Sequence, residues 1–150
     1  MAHRKKKHYE EMMVRMTKAI EAHYCLEASW YAYSIIEDRM IAVLMATGGA
    51  VDARGKLYRN LGRKLDVIKE RAKKDTLLRA YFDSAVVAAI TKWKDERNTL
   101  MHAMANASVP LADIDTQTLL LATNGKELVK TVCRVTRLLR RNRHKIPVPP

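Results

Sequence analysis

The chain has 150 residues, 48% of them hydrophobic, with 28 Lys and Arg against 16 Asp and Glu for a formal net charge of +12. That length suits one domain with a substantial core, and that composition excludes a disordered chain. The two cysteines, Cys25 and Cys133, lack CxxC or other ligand spacing, which excludes a disulfide framework and reads as two reduced thiols.

No secretory signal is visible, because polar residues follow the basic run Arg4-Lys5-Lys6-Lys7 where an apolar segment would lie. The longest apolar tracts, residues 30–36 and 40–46, are separated by Glu37-Asp38-Arg39. Each is far shorter than the ~18–20 residues that a membrane span needs. A soluble, cytoplasmic protein is expected. Positive charge gathers at the two ends: residues 126–145 hold eight Lys or Arg against Glu127, and residues 1–10 hold four against Glu10. Clustered charge of this kind speeds encounters with polyanions.

Apolar residues recur every three or four positions and period-two alternation is absent, which predicts an all-α chain. The first helix runs over about residues 9–47 to Gly48-Gly49, with a break around residues 24–28 as the alternative. A second covers about 56–73, with Leu57, Leu61, Leu65 and Ile68 as its buried stripe. Asp75 then caps a third, about 76–106, carrying Leu78, Phe82, Ala85, Ala89 and Trp93. A loop over 106–115 containing Pro110 leads to a fourth segment, about 116–142. Asn124 and Glu127 could start a new helix there, but one continuous helix through Gly125 is preferred. The expected architecture is a single domain, 1–150, with a basic N-terminal arm at about 1–8 and a Pro-containing disordered tail at about 143–150. Four or five long helices with short connections then pack as an antiparallel bundle.

Within the third helix, Arg97-Asn98-Thr99-Leu100-Met101-His102 places an arginine, an amide and an imidazole within a turn and a half. Arginine is permanently cationic and suits a phosphate that gains charge, while histidine moves protons near neutral pH. His102 and Asn98 share a helical face, whereas Arg97 lies about 140° away around a regular helix. Either the helix begins or bends near Arg97, or a second molecule completes the site across a two-fold axis. The second arrangement is expected. RNA supplies its own nucleophile, the 2′-hydroxyl, so one His102 accepts its proton and the other protonates the leaving 5′-oxygen. Arg97 stabilises the phosphate, Asn98 orients it, and no metal or cofactor is required.

The motif resembles the Arg, four to six residues, His signature of HEPN domains, including the polar residue directly after the arginine. That resemblance implies a helical-bundle dimer built around the Arg-x4-His helix. It also implies a metal-independent endoribonuclease that leaves 2′,3′-cyclic phosphate ends, often in toxin–antitoxin or anti-phage defence systems. Arg97 and His102 carry over as catalytic and Asn98 as support. RNA and a second copy are the implied partners, with room for an antitoxin or regulatory protein. Met104 occupies the position where one HEPN branch has a tyrosine that its nucleotidyltransferase antitoxin modifies, so that mode of control is not expected.

A second charged cluster, Glu37 with Asp38 and Arg39, interrupts an apolar face formed by Trp30, Tyr33, Met40, Ile41 and Leu44. A carboxylate on such a face needs a partner. It either forms an internal ion pair or supports Arg97 or His102. The last helix carries Lys126, Lys130, Arg134, Arg137 and Arg141 on one face, an expected RNA-binding stripe. The alternative function is a non-catalytic nucleic-acid-binding or dimerisation module. His3, His8, His23, His102 and His144 show neither HExxH nor a Glu three residues earlier, so no metal site is expected.

Overall fold

The computed structural model of the chain describes the backbone of residues 2–144 and the side chains of residues 7–144. Its regular structure is all-helical, in six helices among the described residues: α1 (Ala2–Glu21), α2 (Cys25–Ala46), α3 (Leu61–Ala72), α4 (Thr76–Tyr81), α5 (Ser84–Ala105) and α6 (Leu111–Arg143). Residues 2–8 of the expected basic arm belong to α1. The Pro-rich end of the expected tail, residues 145–150, lies outside the described residues.

Six helices stand among the described residues where four or five were expected. The first segment breaks at residues 22–24, beside the alternative break at 24–28, and the third also divides, each without a glycine. After α1, His23 takes a left-handed φ of 61°. Its amide donates to the Ile20 carbonyl at 3.0 Å, and the Tyr24 amide donates to the Ala19 carbonyl at 2.7 Å. This pattern closes a helix end on a left-handed residue, a role usually filled by Gly but tolerated by His. The third segment divides at Phe82-Asp83, where the Asp83 carboxylate accepts the Val86 amide at 2.8 Å and starts α5. Asp75 caps α4 as expected, accepting the Leu78 amide at 2.9 Å. α5 ends as α1 does: Ala107 has φ 50°, and the Ser108 amide donates to the Ala103 carbonyl at 3.1 Å.

α3 starts five residues later than expected. Asp52 accepts the Arg54 and Lys56 amides and folds residues 52–56 into a turn, leaving Leu57 outside the helix and exposed. α6 starts directly after Pro110, whose carbonyl accepts the Asp113 and Ile114 amides, and runs unbroken through Gly125.

The chain forms two compact units. Unit 1 is drawn from Met1–Ile35 and Lys92–Val129, and unit 2 from Ile36–Thr91 and Lys130–Pro150. In unit 1, Met16, Ala19, Ala28, Ala32, Trp93, Leu121 and Ala122 are buried. In unit 2 the core contains Ile36, Met40, Leu44, Leu65, Phe82, Ile90 and Leu139. The inward face of α2 therefore differs from expectation. Met40 and Leu44 are buried, but Trp30 is 64% exposed and Ile41 38%. α2 is apolar on almost every side, so periodicity alone did not set its rotation. Along α5 the buried positions are Val87, Ile90, Trp93 and Leu100, while Ala85 and Ala89 are exposed, because Asp83 restarts the helix in a new register.

Arg71 holds unit 2 together at the end of α2. Its guanidinium donates to the carbonyls of Leu44 at 2.9 Å and Gly49 at 2.8 Å, and to Thr47 Oγ1 at 3.2 Å. It thereby satisfies carbonyls that the helix end leaves open. No helix of the described residues is long and apolar enough to cross a membrane.

Left-handed backbone costs a non-Gly residue about 1–2 kcal/mol, part of which glycine returns as unfolded-state entropy. His23→Gly and Ala107→Gly should each raise the thermal midpoint by about 2–4 °C per kcal/mol recovered. Far-UV circular dichroism melts check this. A lowered midpoint in both variants would mean that the left-handed closures are not the conformations held in solution.

Candidate functional site

The site helix is fixed by one contact inside unit 1. Trp93 on α5 is 3% exposed, and its indole N–H donates to the Leu121 carbonyl of α6 at 2.9 Å. A Cβ on Gly125 would lie 2.9–3.0 Å from three ring atoms of Trp93. The glycine that looked merely tolerable in a continuous helix is therefore the seat of the indole.

Arg97 follows Trp93 by one turn and shares its inward side. The Arg97 guanidinium carbon lies 4.6 Å from the Tyr33 ring centroid and 5.6 Å from that of Trp30. Each contact contributes about 0.5–1 kcal/mol, more where water is excluded. Among the described residues no carboxylate pairs with Arg97, and its buried Nε has no hydrogen-bond partner. Two rings thus clamp the group while its charge stays uncompensated. The sequence showed Trp30 and Tyr33 only as members of an apolar stripe, and their role as a seat for Arg97 was not legible there.

Asn98 and His102 occupy the outer side of α5, and both are exposed. The helix runs without interruption from Ser84 to Ala105, so it neither starts nor stops near Arg97. Five residues of regular helix carry His102 about 140° around the axis from Arg97. One chain consequently brings Asn98 and His102 together but does not set Arg97 beside them. Nearby, Lys92, Asp95, Glu96, Thr99, Leu100 and Gln117 line an open groove of about 410 Å³. Its two carboxylates make it a poor seat for a phosphate.

Glu37, Asp38 and Arg39 lie in unit 2 and have partners there. Glu37 Oε1 accepts from Lys64 Nζ at 2.8 Å, and Arg39 Nη2 donates to Asp38 Oδ2. Lys64 is 3% exposed and also donates to the Arg59 carbonyl at 2.9 Å. Sequence reasoning missed this buried ammonium, whose only signal was its place between Leu61 and Leu65 on the α3 stripe. On α6, Lys130, Arg134, Arg137 and Arg141 are exposed and Lys126 is half-buried. Burial pushes the Cys25 and Cys133 thiols above their usual range; Asp115 adds to this at Cys25, and Arg39 and Arg137 oppose it at Cys133. Thiols raised in this way are poor nucleophiles near neutral pH.

No protein-family model matches the chain, and neither the curated proteins nor the solved structures yield a significant match.

Gly125→Ala sets helix propensity, a gain of about 1 kcal/mol, against overpacking on an enclosed indole, a cost of about 1–3 kcal/mol. Net destabilisation of about 1 kcal/mol is expected in urea unfolding. The double variant Gly125→Ala/Trp93→Leu should show no further clash penalty from the alanine. Equal effects of Gly125→Ala in both backgrounds would exclude the Trp93 contact as its cause.

Proposed function

We propose that the chain is a metal-independent endoribonuclease of HEPN type, acting on RNA at a cleft completed by a second copy of itself. The observation that carries this reading is Arg97. Lys64, Lys73, Arg39 and Arg143 are paired with carboxylates, and Arg71 is spent on backbone carbonyls. Arg97 has no such partner among the described residues and rests on two aromatic rings. An arginine kept in place without being neutralised suits an anion that arrives from outside.

The reaction follows from the residue types. One His102 takes the proton of the 2′-hydroxyl, whose oxygen attacks the adjacent phosphorus. A second His102 protonates the departing 5′-oxygen, leaving a 2′,3′-cyclic phosphate and a 5′-hydroxyl. Arg97 stabilises the charge that builds on the non-bridging oxygens, and Asn98 orients phosphate or imidazole. Because Arg97 and His102 occupy different sides of α5, a second α5 is needed to offer both groups to one phosphate. Unit 1 suits such an approach: its segments hold 10 Lys and Arg against 9 Asp and Glu, and Val14, Leu26 and Trp30 are exposed on it. Toxin or anti-phage roles, and an antitoxin or regulator as partner, belong to this reading through the motif alone. The outward position of His102, away from Arg97, favours a second reading, a nucleic-acid-binding module without catalysis.

Incubation of a mixed RNA substrate in EDTA with wild type, His102→Ala and Arg97→Ala separates the two. Wild type should cut and leave cyclic-phosphate ends, and each folded variant should be slower by about 10²-fold or more. Equal cutting by wild type and His102→Ala would overturn the assignment. Undetectable cutting by wild type, with RNA binding intact, would establish the module instead.

A further inference from the structure

The two units differ sharply in charge. The segments of unit 2 hold 18 Lys and Arg against 7 Asp and Glu, whereas those of unit 1 are close to neutral. The carboxylates of unit 2 are also largely occupied. Glu37, Asp38, Glu70 and Asp75 pair with Lys64, Arg39, Lys73 and Arg143. Asp52 and Asp83 accept backbone amides. What remains at the surface is predominantly positive.

Basic residues are ordered along α6. Lys130, Arg134, Arg137 and Arg141 are exposed and recur at spacings of four, three and four, which confines them to an arc of about 60° over about 16 Å of helix. The opposite side of the same turns, Val132, Val135, Thr136 and Leu139, is buried. Arg143 bonds to Asp75 and Asn142 donates to Tyr81, so the end of α6 is tied to α4. The exposed Lys74 and Arg79 flank that junction and extend the basic surface.

We infer that this face of unit 2 is a grip for the phosphate backbone of RNA, built from residues other than Arg97 and His102 and indifferent to base sequence. The choice of RNA as occupant rests on the endoribonuclease reading above. Guanidinium groups at one-turn intervals match phosphates in charge and in fork geometry. Among the large hydrophobic residues that are exposed, none lies between residues 121 and 144. A helix that lies on a membrane needs such residues beside its cations, so the surface fits a polyanionic strand better than a bilayer. Among the described residues of unit 2 no Phe, Trp or Tyr ring is exposed for bases to stack on, so its contacts fall to phosphates.

The test is fluorescence anisotropy with labelled single-stranded RNAs of several sequences between about 50 and 200 mM KCl. It uses the 150-residue chain carrying His102→Ala, with and without Lys130→Ala/Arg134→Ala/Arg137→Ala/Arg141→Ala. Each phosphate that the protein ceases to neutralise should make the slope of log K against log salt shallower by about 0.7, or about 3 for all four. Affinity should fall alike for every sequence, while circular dichroism shows an unchanged fold. An unchanged slope and affinity in the fourfold variant would overturn the inference. So would loss of binding to phosphatidylserine vesicles with RNA binding unaffected, which would assign the face to a membrane. Because the measurement is made without cleavage, its failure is distinguishable from failure of the endoribonuclease reading.

Discussion

The seating of Trp93 on Gly125 is the contact from which the candidate site follows. The apolar stripe of α5 is weakest near its middle, where Trp93 stands among Lys92, Lys94, Asp95 and Glu96, so burial of apolar surface alone leaves the helix free to rotate by tens of degrees. The indole removes that freedom, because its ring needs the missing Cβ of Gly125 and its N–H needs the Leu121 carbonyl. Once Trp93 is fixed, helical geometry dictates the rest: Arg97 and Leu100 turn inward, and Asn98 and His102 turn outward. The indole thus decides which side of α5 faces inward, while the separation of guanidinium and imidazole follows from their five-residue spacing on an unbroken helix.

Much of this was legible in the residues. The helical period, the Asp75 cap and the stop at Gly48-Gly49 each have a local chemical cause, and the structure keeps all three. The opposite positions of Arg97 and His102 followed from spacing alone, provided that α5 was unbroken there. The misses share another origin. His23 closes α1 in a conformation usually signalled by glycine, so the sequence offered the break near residues 24–28 only as an alternative. Asp83 looked like one more polar residue on a long helix, although an Asp followed by Ser is equally a helix start. α2 offers apolar residues on nearly all sides, and only its neighbours decide that Ala28, Ala32 and Ile36 are buried while Trp30 is not. The pairing of Glu37 with Lys64 spans 27 residues of sequence, beyond the reach of any pattern on one helix.

Charge and burial divide labour between the two units. In unit 2 the acids neutralise buried or half-buried cations, which an interior requires, and so leave the outer surface with a surplus of positive charge. In unit 1 the charges nearly balance, and the arginine of greatest interest is held by ring faces in place of carboxylates. A guanidinium held by quadrupoles keeps its net charge, whereas one held by a carboxylate gives it up. This difference sets the surroundings of Arg97 apart from those of the carboxylate-paired Arg39 and Arg143.

The most direct test of a site shared between two chains is a subunit-mixing titration in EDTA. Wild-type and His102→Ala protein are mixed at varied ratios, allowed to exchange subunits, and assayed for RNA cleavage at constant total concentration. If both His102 side chains serve one cleft, activity falls as the square of the wild-type fraction, leaving about one quarter at equal mixing. A linear fall, with about half the activity remaining, would show that each chain cuts on its own and would contradict the shared site.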